Sequence, residues 1–284
     1  MKVMNVRFPY HAGSFYAGTK EKLKKQIKEC FLYGFGPGAL PTVNAVYHQR
    51  IQAVICPHAG YVYSGAVAAN GYYELFRGEK PESIIIIGPN HTGFGSDVSI
   101  MTDGMWRTPL GDVRIDTELA KTIQNSSNTI NINDHAHVYE HSIEVQLPFL
   151  QYLYGDKFKF VPICMMNQDL GTSYDVGNSI VEAISGKNVV IIASTDFSHY
   201  ESQETAKRKD QIAIEAVLKL DEAKLQNVVK SYDMSMCGYG PVSATIFAAK
   251  KIDVKNSKLL CYATSGDITD DLSQVVGYAS LVMF

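Results

Sequence analysis

The sequence predicts a layered α/β fold, a single domain with a central, mostly parallel or mixed sheet flanked by helices. Near-continuous apolar, β-branched runs recur along the chain, as they do in strands covered on both faces. Amphipathic helical patterns alternate with these runs, the order that packs helices onto a sheet. No Ser/Gly/Pro-rich linker, low-complexity tract or internal repeat divides the 284 residues, a length that large α/β sheets reach as one unit. The expected domain therefore spans 1–284.

In chain order, the basic run Lys20-Glu21-Lys22-Leu23-Lys24-Lys25-Gln26-Ile27-Lys28 alternates apolar and charged positions and reads as a solvated helix face. Gly34-Phe35-Gly36-Pro37-Gly38 follows as a loop. It lacks the preceding strand and following helix of a dinucleotide fingerprint. The first core strand is expected at 52–56, then a helix at 65–76 that Ser64 is placed to cap, and a second strand at 83–88. Helices at 117–124 and 143–153 precede a strand at 158–163. A helix at 173–185, a strand at 189–193, helices at 204–218 and 242–250, and strands at 258–263 and 275–282 complete the pattern.

Composition removes several functional classes. Hydrophobic residues make up 46% and charged residues 19% of the chain, enough for a packed core and unlike a disordered protein. A net charge of -3 offers no basic field for a phosphate backbone, so no nucleic-acid partner is expected. The five cysteines are odd in number, scattered and free of any Cys-x-x-Cys pair, which argues against a disulfide framework or a zinc knuckle. Met1–Arg7 has no apolar signal core, and no stretch approaches the roughly 20 apolar residues of a membrane span. The expectation is no membrane association and a reducing, cytoplasmic location.

Three histidines each follow an apolar run: His58 after 51–57, His91 after 83–90 and His199 after 188–198. Strand carboxyl ends form the ligand crevice of an open α/β sheet, so these imidazoles are placed to meet at one metal or one substrate. Cys56-Pro57-His58-Ala59-Gly60-Tyr61 and Gly88-Pro89-Asn90-His91 share this architecture. Tyr61 and Asn90 are expected to line the pocket.

Asp134-His135-Ala136-His137-Val138-Tyr139-Glu140-His141-Ser142-Ile143-Glu144 is the densest polar cluster. If helical, it sets His137 and His141 on one face and His141 beside Glu144, and His141 and Glu144 are expected to line the pocket. In Asp196-Phe197-Ser198-His199 a carboxylate precedes an imidazole by three residues. Asp196 is expected to orient His199 as a base. Cys237 precedes an apolar helix, where a thiolate can be stabilised and can bind metal. The other four cysteines lie in apolar runs and read as inert core residues.

Together these segments resemble the Memo family, named for a mediator of cell motility downstream of a receptor tyrosine kinase. The resemblance spans nearly the whole chain. It is carried by Arg7-Phe8-Pro9 with Ala12-Gly13-Ser14-Phe15-Tyr16, Pro57-His58-Ala59-Gly60-Tyr61, Gly88-Pro89-Asn90-His91, Thr108-Pro109-Leu110-Gly111, Glu140-His141-Ser142-Ile143-Glu144-Val145-Gln146-Leu147-Pro148, Asp196-Phe197-Ser198-His199-Tyr200, Cys237-Gly238 and Ser265-Gly266-Asp267. The family is similar in fold to the class III extradiol dioxygenases, which bind non-heme iron in a crevice at the sheet edge. The resemblance implies a metal site of His58, His91 and Cys237, with Asp196 and His199 beside it and His141 as a further candidate. Copper or iron would be the metal.

Ring-cleaving enzymes use two histidines and a carboxylate on iron, whereas the third donor implied here is a thiolate, which suits Cu(I) or zinc. Extradiol activity therefore does not follow from the fold. The leading expectation is a metal-binding, redox-related protein with His199 as proton acceptor, acting on a small-molecule or peptide ligand. The alternatives are an extradiol-type dioxygenase with Asp196 or Glu144 as its carboxylate, a non-catalytic peptide- or protein-binding adaptor, and a metal-free Cys-His hydrolase built on Cys237. Family members can act as adaptors for phosphotyrosine peptides, but no Arg-rich cluster near the histidines marks a phosphate site.

Overall fold

Four apolar runs become the middle of a mixed sheet. The computed structural model describes residues 5–42 and 50–284; residues 1–4, part of the amino-terminal stretch considered above, and 43–49 lie outside the described residues. Within them the strands are β1 (Val6–Arg7), β2 (Ala53–Cys56), β3 (Ser83–Pro89), β4 (Val98–Ile100), β5 (Met105–Thr108), β6 (Gly111–Ile115), β7 (Ile130–Ile132), β8 (Lys159–Met165), β9 (Val189–Ser194), β10 (His199–Glu201), β11 (Ser257–Thr264) and β12 (Val275–Met283). The sheet order is β1-β5-β6-β8-β3-β9-β2-β12-β10, with β11 also on β12 and β4 joining β7 to β8.

Strands β8, β3, β9 and β2 run parallel, side by side. Every residue of β2, β3 and β9 is buried, as their unbroken apolar composition requires once helices cover both faces. The pairing of Cys56 with Ser194 and of Ile87 with Ala193 brings the carboxyl ends of β2, β9 and β3 to one level. Strand β9 lies between the strands that precede His58 and His91, so three loops open onto one crevice.

The helices are α1 (Lys20–Leu32), α2 (Ala66–Arg77), α3 (Thr117–Asn125), α4 (His135–Val138), α5 (Leu147–Tyr154), α6 (Leu170–Ile184), α7 (Gln203–Leu218), α8 (Glu222–Ser231), α9 (Tyr239–Lys251) and α10 (Gly266–Thr269). Helix α2 packs on β2 and β12, and α9 packs on β9, β3 and β2. None of the described helices is long and apolar enough to cross a membrane.

Three local expectations are corrected. Ser64 does not cap α2: its hydroxyl donates to the Ala59 carbonyl 2.9 Å away inside a π-helical turn, Tyr61–Gly65. The segment after Asp134 is not one helix. Helix α4 ends at Val138, and Pro148 sits in the first turn of α5, where its missing N–H costs nothing. His137 and His141 therefore share no helix face. The stretch 98–132 is richer than expected, because β5 and β6 form a hairpin whose burial alternates instead of running unbroken.

Candidate metal centre

The crevice collects donors from three distant parts of the chain. One potential ligand atom each from His58, His91 and Cys237 lie within 4.8 Å of one another, and His58 Nε2 is 3.2 Å from Cys237 Sγ. His58 follows β2, His91 follows β3, and Cys237 arrives just before α9. Gly238 makes that approach feasible. A Cβ there would stand 2.5 Å from the Ser194 carbonyl oxygen at the end of β9, far inside van der Waals contact.

His58 is 2% exposed. Its Nδ1 is 2.9 Å from Ser194 Oγ, and its backbone N–H donates to Asp196 Oδ1 at 2.8 Å. Burial, reinforced by the neighbouring His91, pushes its pKa well below the usual histidine value. The ring is neutral at physiological pH, the state in which imidazole binds metal.

His91 stands at the mouth, with a third of its side chain exposed. Its Nδ1 is 2.9 Å from Glu140 Oε1, and its backbone N–H donates to Glu140 Oε2 at 2.6 Å. Burial alone would raise the pKa of Glu140, but the His91 hydrogen bond and nearby histidine charge hold this carboxyl well below the usual range. His141 completes the group, its ring stacked on His91 at 4.5 Å and edge-on to His58 at 5.2 Å. Burial, with a smaller contribution from competition with His58 for a proton, lowers its pKa to about 3.

Cys237 receives the backbone N–H of Asp196 at 3.2 Å and is partly exposed. Desolvation and the Asp196 carboxylate raise its thiol pKa, so the protein alone does not supply the activated thiolate that a helix start suggested. A bound cation inverts that balance, because metal ligation deprotonates a thiol outright.

Several residues take other roles than expected. Asp196 does not hold His199. Phe197 N–H bonds Gly277 O and Ser198 is pinned by Asp210, which carries His199 onto the edge of β12. There His199 Nδ1 meets the Ser235 carbonyl at 2.9 Å, while Asp196 faces His58.

Glu144 is fully buried and accepts from Arg7, Tyr16 and the backbone of Tyr10 and His11, so it anchors the amino-terminal segment and has no acceptor to offer a ligand. Tyr61 donates to the Val145 carbonyl at 2.6 Å. Asn90 Oδ1 accepts from Thr92 and Gly93, closing the turn that presents His91. Cys30, Cys56 and Cys164 are buried as expected, but Cys261 is partly exposed.

Sequence reasoning missed Glu140 and Ser194 as partners of the two histidines, and Gln146, which donates to Ser194 Oγ at 2.7 Å. Ser194 left one signal, a polar residue at the end of an apolar strand. A cavity of about 590 Å³ lined by Glu82, Arg114 and Lys159 lies at the opposite, amino-terminal edge of the parallel strands, away from these donors.

Comparison with known proteins places this geometry in context. Residues 7–282 match the family model for Memo-like proteins. A MEMO1 family protein of Methanopyrus kandleri is 50% identical over 278 residues, covering 97% of this chain and 98% of that protein. One from Methanocaldococcus jannaschii is 48% identical over 286 residues, with 98% and 99% covered. Among solved structures, an uncharacterized protein of Escherichia coli K12 superposes with a TM-score of 0.56 at 11% identity, over 82% of this chain and 100% of that one. At that identity the likeness speaks for the fold alone.

Proposed function

This chain belongs to the Memo-like protein family, and we propose that its crevice is a metal centre in which His58, His91 and Cys237 hold a copper or iron ion for redox chemistry. The observation that carries the reading is the meeting of two imidazoles and a thiol within 4.8 Å from three distant loops. Two donors bonded to one ion at about 2.0–2.3 Å stand roughly 3–3.5 Å apart; His58 Nε2 and Cys237 Sγ, at 3.2 Å, fit that span.

A soft sulfur beside two imidazoles suits copper, accepts iron and also fits redox-inert zinc. When bound, copper or iron would supply electron transfer. The residues around it do the rest. Burial keeps His58 neutral. Asp196 fixes the His58 backbone and holds a carboxylate oxygen 4.0 Å from Nε2. His199 donates Nδ1–H to a carbonyl, which leaves its other nitrogen free to take a proton at the edge of the crevice. Five free cysteines suit a reducing cytoplasm.

The test is metal loading of protein purified without a metal-binding tag. Anaerobic titration with Cu(I) or Fe(II) is expected to give stoichiometric binding to the wild type and none to the His58→Ala, His91→Ala double variant. Unchanged stoichiometry and affinity in that variant would overturn the reading.

A second reading has its own support. His91, Glu140 and His141 also bring one potential ligand atom each within 4.8 Å of one another, a two-histidine, one-carboxylate set of the kind that non-heme iron oxygenases use. Oxygen uptake with catechols after anaerobic Fe(II) loading would favour it. No uptake across a broad panel removes it.

A further inference from the structure

We infer that Glu140 and Ser194 are the positioning residues of this centre: one buried segment, 140–146, acts through them to hold both His58 and His91 as the Nδ1–H tautomer, leaving Nε2 of each as the donor nitrogen. The purpose of this lock rests on the metal reading above; its geometry does not.

The protonation of His58 follows by elimination. The Ser194 hydroxyl owns one hydrogen, which goes to the Ser142 carbonyl oxygen 2.6 Å away. A carbonyl can only accept. Gln146 Nε2, an amide nitrogen that can only donate, approaches the same Oγ at 2.7 Å. No hydrogen remains on Ser194 for His58, so the 2.9 Å contact between Nδ1 and Oγ is an N–H donated by the ring. His58 Nε2 then carries the lone pair, and this is the nitrogen 3.2 Å from Cys237 Sγ. The Gln146 amide is itself fixed in orientation, donating to the Pro57 carbonyl at 3.0 Å and accepting from the Tyr72 hydroxyl.

The same reasoning applies to His91. The Glu140 carboxylate has only acceptors to offer and already receives the backbone N–H of His91 at 2.6 Å and of Ser142 at 2.8 Å. Its 2.9 Å contact with His91 Nδ1 is therefore a third N–H donated to it. The segment is pinned from both sides. Arg7 Nη2 donates to the Glu140 carbonyl at 3.0 Å, and Ser142 Oγ donates to the Pro89 carbonyl, at the end of the His91 strand, at 2.9 Å.

Gly88 permits that last contact, since a Cβ there would stand 2.4 Å from Ser142 Oγ. The two locks are chemically unequal. A carboxylate partner raises the basicity of its imidazole more than a hydroxyl does, so His91 is the stronger donor and His58 the weaker.

The test reads the tautomers directly. Full-length, metal-free chain labelled with ¹⁵N-histidine is examined by two-bond ¹H–¹⁵N correlation, which separates Nδ1–H from Nε2–H imidazoles. The expected wild-type result is Nδ1–H for both His58 and His91; Nε2–H at either overturns the proposal, whether or not any variant folds. Glu140→Ala, which removes the acceptor, is expected to shift His91 away from Nδ1–H and leave His58 unchanged, while Ser194→Ala does the reverse.

Each variant is expected to weaken Zn(II) or Cu(I) binding by about 10–100-fold with the fold retained by circular dichroism. Folded variants in which neither tautomer moves overturn the assignment of Glu140 and Ser194. Both wild-type histidines as Nδ1–H in a chain that binds no metal would support the lock and sink the metal reading, so the two failures are distinguishable.

Discussion

His58 and His91 follow strands that read alike in sequence, each an apolar run ending in proline, yet the two walls of the crevice hold them differently. His58 is 2% exposed and hangs from a serine hydroxyl backed by an amide. His91 is open to solvent and is gripped by a buried carboxylate through both its ring and its backbone. The difference follows from where charge can be tolerated. Around the dry His58, the nearby Asp196 has its pKa raised by burial, and the direct ring partner is neutral. At the mouth, Glu140 stays ionised because N–H groups converge on it. Like motifs can thus end in unlike sites, since the partner comes from elsewhere in the chain.

The largest test of this contrast strikes what the walls share. Glu144 ties Arg7 and the backbone of Tyr10 and His11 to the 140–146 segment. Glu144→Ala strands a buried guanidinium, and a loss of about 3–5 kcal/mol is expected in urea denaturation; a loss below about 1 kcal/mol would show that the anchor carries little. Next is the sulfur. Cys237→Ser is expected to weaken Cu(I) binding by at least about 100-fold, whereas Cys164→Ser, buried in β8, changes stability and leaves metal affinity alone. Equal effects on affinity would erase the distinction between site and core cysteines.

Gly238→Ala strikes the inner wall alone. Its Cβ would meet the Ser194 carbonyl at 2.5 Å, and an overpacking loss of about 1–3 kcal/mol is expected together with weaker metal binding. Unchanged stability would mean that Cys237 is not held by this close approach.

The smallest effect concerns His137, fully buried against Trp106 behind the outer wall, its pKa pushed by burial and the Arg7 charge down to about 3. Unfolded, it takes up a proton near pH 6.5. Between those values the unfolded chain binds more protons, so this histidine costs stability as pH falls from 6.5 toward 3 and has no effect above. His137→Leu is expected to flatten the pH dependence of unfolding in that window by one proton. An unchanged slope would place His137 in a more polar environment.

The sequence exposed those parts of the fold that burial makes uniform. Strands β2, β3, β8, β9 and β12 are unbroken apolar runs, so their existence and order could be read directly. Strands β4 to β7 are short, β5 to β7 are half-exposed, and helix α8 carries its start only in the Asp221 cap. Such weak local signals are settled by tertiary packing. In the site, strand ends announced His58 and His91 but His199 equally, and a helix start announced Cys237; the family resemblance, and not the local pattern, joined His58, His91 and Cys237 into one set. Glu140 and Ser194 were not legible, because a hydrogen-bond partner 49 or 136 residues away leaves no periodicity to detect. Glu144 was misread for the same reason: its partner Arg7 is 137 residues distant.

X-ray absorption at the metal edge of the copper-loaded protein tests the central claim most directly. Two imidazole nitrogens and one sulfur in the inner shell, with the sulfur lost in Cys237→Ser, are the predicted result. A shell of oxygen and nitrogen alone, unchanged in Cys237→Ser, would contradict it.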